Sequence, residues 1–362
     1  MKKVFIAATK QNDGKTTVSL GLVYNFQQIF KRVGFIKPIG QRYLEEEGLR
    51  IDEDSILVEK VCGIKCGLKD MSPIAVEKGF TEKYIAKPDK RSISRKIKES
   101  FNRVSKRKDL VIIEGTGHAG VGSVFDHSNA TVAKLLVSKV ILISSGGIGR
   151  PIDEIVLNKA LFEREGVKLL GVIVNKVLPS KFDKINRLVR SGLERKGINV
   201  LGVLPYDPML SRPTFGQIIE DHDFEVICGK DYLDLPISRI IVAAMEPDDA
   251  VKYIVEGSLM ITPGDRKDMI KAGLSCFCAD NDKRLKISGI VLTGGISPDQ
   301  GLMNLLQKAQ IPVLMADEDT YDVATRLHDF TVKLRPRDKD KIEAAVKLVK
   351  DNVDLKKILK GM

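Results

Sequence analysis

The chain has 362 residues, of which 43% are hydrophobic and 30% charged, with a formal net charge of +11. That length suits two ordinary domains, and the mix of apolar and charged residues excludes a disordered or fibrous chain. No apolar run approaches the roughly 18 residues of a membrane helix, and Met1-Lys2-Lys3 enters a strand-like segment without a signal-peptide pattern, so a cytoplasmic protein with no membrane partner is expected.

Val4–Ala8 is a short apolar run, and the segment from Thr9 to Thr17 separates it from a helical pattern that starts near Val18. A phosphate needs exposed backbone N–H groups, a helix N-terminus aimed at it and a cation. The stretch Lys10-Gln11-Asn12-Asp13-Gly14-Lys15-Thr16-Thr17 supplies all three. Gly14 permits close backbone approach, Lys15 reaches the outer phosphates, and Thr16 offers a hydroxyl to Mg²⁺. Thr9 stands where the common pattern has its first glycine. Lys10 precedes Lys15 by five residues, the spacing of the signature lysine in deviant P-loop ATPases, where it reaches a second subunit's phosphates. A solvated lysine is the other reading.

Gly34–Ile39 reads as a second strand. Cys62-x-x-x-Cys66 has no further Cys or His nearby. With no CxxC pair among Cys62, Cys66, Cys228, Cys276 and Cys278, reduced thiols are expected. Between Lys83 and Lys108 eleven Lys or Arg face two acids, +9 of the total +11. Ile93, Ile97, Phe101 and Val104 give this stretch an apolar stripe, as in an outer helix packed on a sheet. The chain has no Trp, and only Tyr84 and Phe101 fall among these charges, so a nucleic-acid partner is not favoured.

Leu110–Ile113, Val140–Ile143, Leu169–Val174 and Val200–Leu204 are β-branched runs alternating with helical patterns. Continuous apolar runs suit strands buried on both faces, so a doubly wound parallel α/β sheet is expected, with ligands on the rim at the strand ends. The pattern resets near Pro213–Phe215. Arg239–Ala243, Ser258–Ile261, Ile287–Leu292 and Ile311–Leu314 then suggest a second, smaller α/β region. Residues 1–212, 213–330 and 331–362 are taken as first domain, second domain and C-terminal amphipathic helix.

Ala7–Thr17, Gly34-Phe35-Ile36-Lys37-Pro38, Glu53-Asp54-Ser55, Val111–Gly115 and Val172–Lys176 together resemble dethiobiotin synthetase. Ile261-Thr262-Pro263-Gly264-Asp265-Arg266 and Gly289–Gly295 look like the DRTGG domain. The pair resembles the N-terminal half of long bacterial phosphotransacetylases, here expected as a free-standing version. The resemblance implies a P-loop NTPase-type α/β domain that binds Mg²⁺ and ATP. It makes Lys37 a second cation for a transferring phosphoryl group or a substrate carboxylate. Asp54 and Glu114 would join Thr16 as Mg²⁺ ligands, although Asp52 and Glu53 are equally acidic neighbours of Asp54. Asn175 would pair with an adenine edge. Leu178 stands where a guanine reader has Asp, so ATP is expected over GTP.

Gln41 and Arg42 depart from the small residues that hold the diamine of dethiobiotin synthetase, so that reaction is not expected. His118, in Gly115-Thr116-Gly117-His118, is either a base or a structural residue. Asp265 and Arg266 are either a ligand or interface site or an internal salt bridge. Two functions remain open. One is an ATPase or ATP-dependent carboxylate/amine ligase using Lys15 and Lys37. The other is a non-catalytic nucleotide-sensing module with an unknown small-molecule ligand at the DRTGG domain. Proteins of this kind commonly dimerise, so a homodimer is expected.

Overall fold

The structure is a computed structural model that describes residues 1–46, 48–278, 287–330 and 332–362. Its contacts separate two compact units, residues 1–210 with 334–362, and residues 211–333.

In the first unit the strands are β1 (Lys2–Ala8), β2 (Val33–Ile36), β3 (Ile39–Gly40), β4 (Tyr43–Glu46), β5 (Leu49–Asp52), β6 (Ile74–Ala75), β7 (Leu110–Glu114), β8 (Val140–Ser145), β9 (Leu169–Val177) and β10 (Val200–Pro205). Six of them form one all-parallel sheet in the order β10-β9-β8-β1-β7-β2. The continuous apolar runs are buried as expected: Val4 to Ala8, Leu110 to Ile113 and Val140 to Ile143 are all inaccessible to solvent. Helices cover both faces, which is why these strands lack alternation. Because β1 lies between β7 and β8, the chain changes its direction of travel across the sheet there. The carboxyl ends of these three strands therefore border an open crevice.

Two expectations are corrected here, and one element is new. Lys83–Lys108 is not one helix but two, Phe80–Ala86 and Lys90–Ser105. Pro88 cannot continue a helix, and the Asp89 carboxylate caps the second one by accepting from Ser92 N at 2.9 Å. The second strand ends at Ile36, because Pro38 has no N–H to continue the ladder, and Ile39–Gly40 pairs with β6 in a separate ribbon. The antiparallel hairpin β4–β5 is not apparent from the sequence, where neither arm carries a long apolar run.

Residues 331–362, expected as one amphipathic helix, hold two, Lys339–Asn352 and Leu355–Gly361. They belong to the first unit. Val349 and Ile358 are fully buried, Asn25 Nδ2 donates to Val346 O at 3.1 Å, and Asp354 N donates to Leu201 O at 2.8 Å. The apolar stripe that marks the segment as amphipathic is thus spent on helix Lys15–Gln27 and the β10 edge.

The second unit carries β11 (Glu225–Cys228), β12 (Arg239–Val242), β13 (Ser258–Pro263), β14 (Ile287–Thr293) and β15 (Val313–Met315). Strands β12 to β15 run parallel in sequence order, and β11 pairs antiparallel with β15 at the edge. Separate apolar clusters line the two faces, one around Met269, Ile270 and Leu306, the other around Phe215, Ile218 and Val323. At the β13 end, a side chain on Gly264 would fall 1.6 Å from Ile296 O, so only glycine permits that crossing of the two loops. Arg266 pairs with Asp268 at 2.8 Å and donates to Met245 O at 3.2 Å. The salt bridge is internal, but its partner is not Asp265.

Among the described residues no helix is long and apolar enough to cross a membrane. Burial pushes the Cys62 thiol up to about 12 and the Cys228 thiol up to about 11, which suits packing and not reactivity. The Cys278 side chain lies outside the described residues.

Candidate nucleotide site

The Thr9–Thr17 segment leaves β1 at the crevice and turns into helix Lys15–Gln27. Gly14 has φ +95°, open to glycine at little cost, and a Cβ there would fall 2.2 Å from Asn175 Nδ2. Its carbonyl accepts from Val18 N at 3.0 Å, so the helix starts at Lys15 and its first amides face the loop. Lys15, Thr16 and Thr17 occupy that first turn, each partly exposed.

The end of β9 and the helix Arg150–Arg164 hold the loop in shape. Asn175 Nδ2 donates to Asp13 O at 2.9 Å, Lys176 Nζ to Asn12 O at 2.7 Å and Asn158 Nδ2 to Thr9 O at 3.2 Å. The Asp13 carboxylate, 1% exposed, accepts from the Thr9 hydroxyl at 2.7 Å and from Lys10 N at 3.0 Å. Burial raises its pKa, and the bonds from Thr9 and Lys10 pull the other way. Asp13 therefore braces the loop from within. Its carboxylate does not face a phosphate, which it would repel, so only the Asp13 backbone can serve a nucleotide. Thr9, in the usual glycine position, is part of the same brace.

Asn175 is buried against the loop, and its Oδ1 accepts from Lys176 N at 2.9 Å. Each end of the amide keeps one further hydrogen-bonding capacity, which two-point pairing with an adenine edge requires.

Across the crevice the structure brings Lys15, Thr16, Lys37, Asp54 and Glu114 together and adds Asp52. Lys37 stands one residue past β2, Glu114 ends β7, and Asp52 and Asp54 flank the start of helix Glu53–Cys62. The Lys37 ammonium pairs with Asp52 at 3.1 Å, with Asp54 at closer range and with Glu114 at 3.8 Å. Thr16 Oγ1 donates to Asp54 Oδ1 at 3.0 Å and lies 3.4 Å from Glu114 Oε1. Burial would lower the Lys37 pKa, but Asp54, Asp52 and Glu114 hold it well above its ordinary value. Lys37 is therefore no rim lysine.

Burial and the Asp54 charge push the Glu114 carboxyl up to about 8, while burial, partly offset by Lys37, pushes Asp52 up to about 6. The acidic neighbour that spacing could not separate from Asp54 thus belongs to the cluster. Asp52 caps the helix through Asp54 N at 3.0 Å and also faces Lys37.

Among the described residues no three His, Cys, Asp or Glu side chains stand close enough to hold a metal by themselves. A magnesium ion that keeps water and phosphate oxygens needs fewer protein ligands. Thr16, Asp54 and Glu114 fit that need, because Thr16 Oγ1 lies 3.0 Å from Asp54 Oδ1 and 3.4 Å from Glu114 Oε1, which gathers three hard oxygen donors in one place. Metal binding must then remove a proton from Glu114. Below pH 8, Mg²⁺ affinity should rise up to about tenfold per pH unit and flatten above it. In the absence of metal the sign reverses for stability. A raised carboxyl pKa favours the fold at low pH, and that contribution is lost as pH rises toward 8. Calorimetric Mg²⁺ titrations from pH 6 to 9 check this, and an affinity that does not change with pH would refute it.

Loop 115–120 completes the rim. Asn129 accepts from Thr116 N at 3.0 Å and donates to Thr116 O and His118 O, both at 2.7 Å. Asn158 accepts from Ala119 N at 2.8 Å, tying this loop to Thr9. His118 is exposed, with Nδ1 accepting from Gly120 N at 3.2 Å. Asn129, Asn158 and Lys176 have no local motif. Of the three, only Lys176, next to Asn175 at a strand end, offers a signal in the linear chain.

Two family models match the chain, an AAA domain over residues 2–214 and a DRTGG domain over residues 217–330. Similar curated proteins include the phosphate acetyltransferase of Pseudomonas putida, 28% identical over 98% of this chain and 51% of its own length. That of Nitratidesulfovibrio vulgaris is 24% identical over 97% and 50%. The chain spans about half the length of the curated relatives it matches. Among solved structures, the MinC:MinD cell division complex of Aquifex aeolicus matches with TM-score 0.36 and 16% identity, over 58% of this chain and 84% of that one. The CBS and DRTGG domains of the regulatory region of Clostridium perfringens pyrophosphatase match with TM-score 0.26 and 23% identity, over 33% and 46%. At such scores these likenesses carry no argument.

Proposed function

This chain belongs to the AAA domain family over residues 2–214, followed by a DRTGG domain, and from that premise we propose that it binds Mg²⁺–ATP at the loop from Lys10 to Thr17. The observation that carries this is the braced loop itself. Gly14 at φ +95° opens onto the first turn of a helix, with Lys15 and Thr16 beside a buried carboxylate pair. The amides of that turn and the Lys15 ammonium would take the polyphosphate, and Asn175 the adenine. Magnesium, held by Thr16, Asp54 and Glu114, would neutralise charge on the phosphate oxygens.

Lys37 has a second role in this reading. Its ammonium already neutralises the carboxylates that a metal would occupy, so the two cations compete for Asp54 and Glu114. With the carboxylates otherwise engaged, Lys37 would be left to a phosphoryl group or to an acceptor carboxylate. That favours ATP hydrolysis or activation of a carboxylate as the chemistry. A second reading, in which nucleotide occupancy is a regulatory signal, rests on the match of this chain to about half the length of phosphate acetyltransferases. Lys10, partly exposed at the loop start, keeps the homodimer as a further proposal.

Calorimetric titration with Mg²⁺–ATP and Mg²⁺–GTP, alongside phosphate release, tests the proposal. One ATP site and weaker GTP binding are expected. No binding of either at millimolar nucleotide would refute it. Binding without release would favour the regulatory reading.

A further inference from the structure

The basic stretch that stands out in the composition has a structural counterpart that nucleotide binding does not use. A cavity of about 520 Å³ lies between hairpin β4–β5, residues 72–75 and helices Phe80–Ala86 and Lys90–Ser105. Its floor is apolar, with Ile51, Pro73 and Ile74 buried and Phe80 half-buried. Five cations line it, Arg50, Lys69, Lys78, Lys83 and Lys96, against two acids, Glu45 and Glu77. Arg50 pairs with both acids, with Glu45 at 3.7 Å and with Glu77 more closely. None of the four lysines is ion-paired among the described residues.

Four exposed lysines around one concavity make it electropositive, and that potential attracts an anion. An apolar floor gives a bare inorganic ion nothing and favours a carbon skeleton. We propose that this cavity binds a small organic polyanion, one carrying two or more carboxylate, phosphate or sulfonate groups, and that its occupancy is coupled to the nucleotide site.

The coupling follows from what the cavity wall touches. Lys37 N donates to Met71 O at 2.7 Å, Asp52 N to Ser72 Oγ at 2.9 Å and Ser55 Oγ to Met71 O at 3.2 Å. Ile51 on the floor directly precedes Asp52. A ligand that shifts residues 71–75 moves the backbone carrying Lys37 and Asp52. By reciprocity, nucleotide must change the polyanion's affinity by the same factor. The coupling rests on the nucleotide reading, whereas the cavity's own binding does not.

Pyranine, a fluorescent hydroxypyrene trisulfonate, is a suitable probe because it joins an apolar ring system to fixed anions. One saturable site is expected on the full chain, displaced by excess citrate but not by a short single-stranded oligonucleotide. The double variants K83E/K96E and K69A/K78A, checked for unchanged circular dichroism, should each weaken the probe by about tenfold or more. Saturating Mg²⁺–ATP should leave the probe bound while shifting its affinity, and the probe should shift ATP affinity by the same factor. Equal affinity in both double variants overturns the cavity assignment, as does competitive displacement by Mg²⁺–ATP. Tighter oligonucleotide binding, lost in the same variants, overturns it in favour of a nucleic-acid surface. If ATP binds with an affinity the probe does not move, the coupling is refuted and the cavity stands. If ATP does not bind at all, the nucleotide reading fails with the coupling, and the charge variants still decide the cavity.

Discussion

Replacing Lys15 by alanine is expected to weaken Mg²⁺–ATP binding roughly 100-fold, about 2.8 kcal/mol, with the fold retained. Lys15 occupies the first turn after Gly14, where the helix amides and the ammonium converge on the same space. Burial lowers its pKa and Lys37 adds to that, while Glu114, Asp54 and Asp13 oppose it. Partial burial has already stripped some water from this cation, so less is given up when a phosphate arrives. Losing it removes a charge-assisted contact that a water molecule cannot replace. Titration of the variant alongside the parent checks this, with circular dichroism as the folding control. A variant that binds Mg²⁺–ATP as tightly as the parent would take the phosphate role away from the loop.

The second large effect concerns stability. Lys37→Ala should destabilise the first unit by about 3–5 kcal/mol in metal-free buffer, because it leaves Asp52, Asp54 and Glu114 crowded together and partly buried. For a unit of this size that corresponds to a fall in melting temperature on the order of 10 °C. Millimolar Mg²⁺ should restore more stability to this variant than to the parent, because the metal then enters a site with no competing ammonium. Lys37→Ala combined with Asp54→Asn should be less unstable than the sum of the two single changes, since one of the repelling charges is gone. A melting temperature within about 1 °C of the parent would mean that Lys37 is a solvated surface lysine after all.

The parts that could be read from the linear chain are those whose cause is local. The unbroken β-branched runs of Val4–Ala8 and Leu110–Ile113 announce strands buried on both faces, whatever covers them. Gly14-Lys15-Thr16 announces a phosphate turn, because glycine, ammonium and hydroxyl must stand in that order at a helix start. Pro88 and Asp89 already carried the break between helices Phe80–Ala86 and Lys90–Ser105, since a proline and a capping carboxylate act within a few residues. There the periodicity of the apolar stripe outweighed a local signal that proved decisive.

Asp13 shows the limit. An acid in a phosphate loop looks like part of the ligand site, yet which way it faces depends on Thr9, and the loop around it is positioned by Asn158 and Asn175, residues brought in from well over a hundred positions away. Asp52 and Asp54 are indistinguishable by spacing, and only the approach of Lys37 and Glu114 shows that both serve one cluster. Local order therefore settled the sheet, the turn and the place of Lys15 at the start of its helix, because propensity and backbone chemistry act between near neighbours. The pairing of buried charges, the docking of residues 339–361 and the lysine-lined cavity were decided by tertiary structure alone. Desolvation and Coulomb forces depend on distance through space, and separation along the chain does not reveal it.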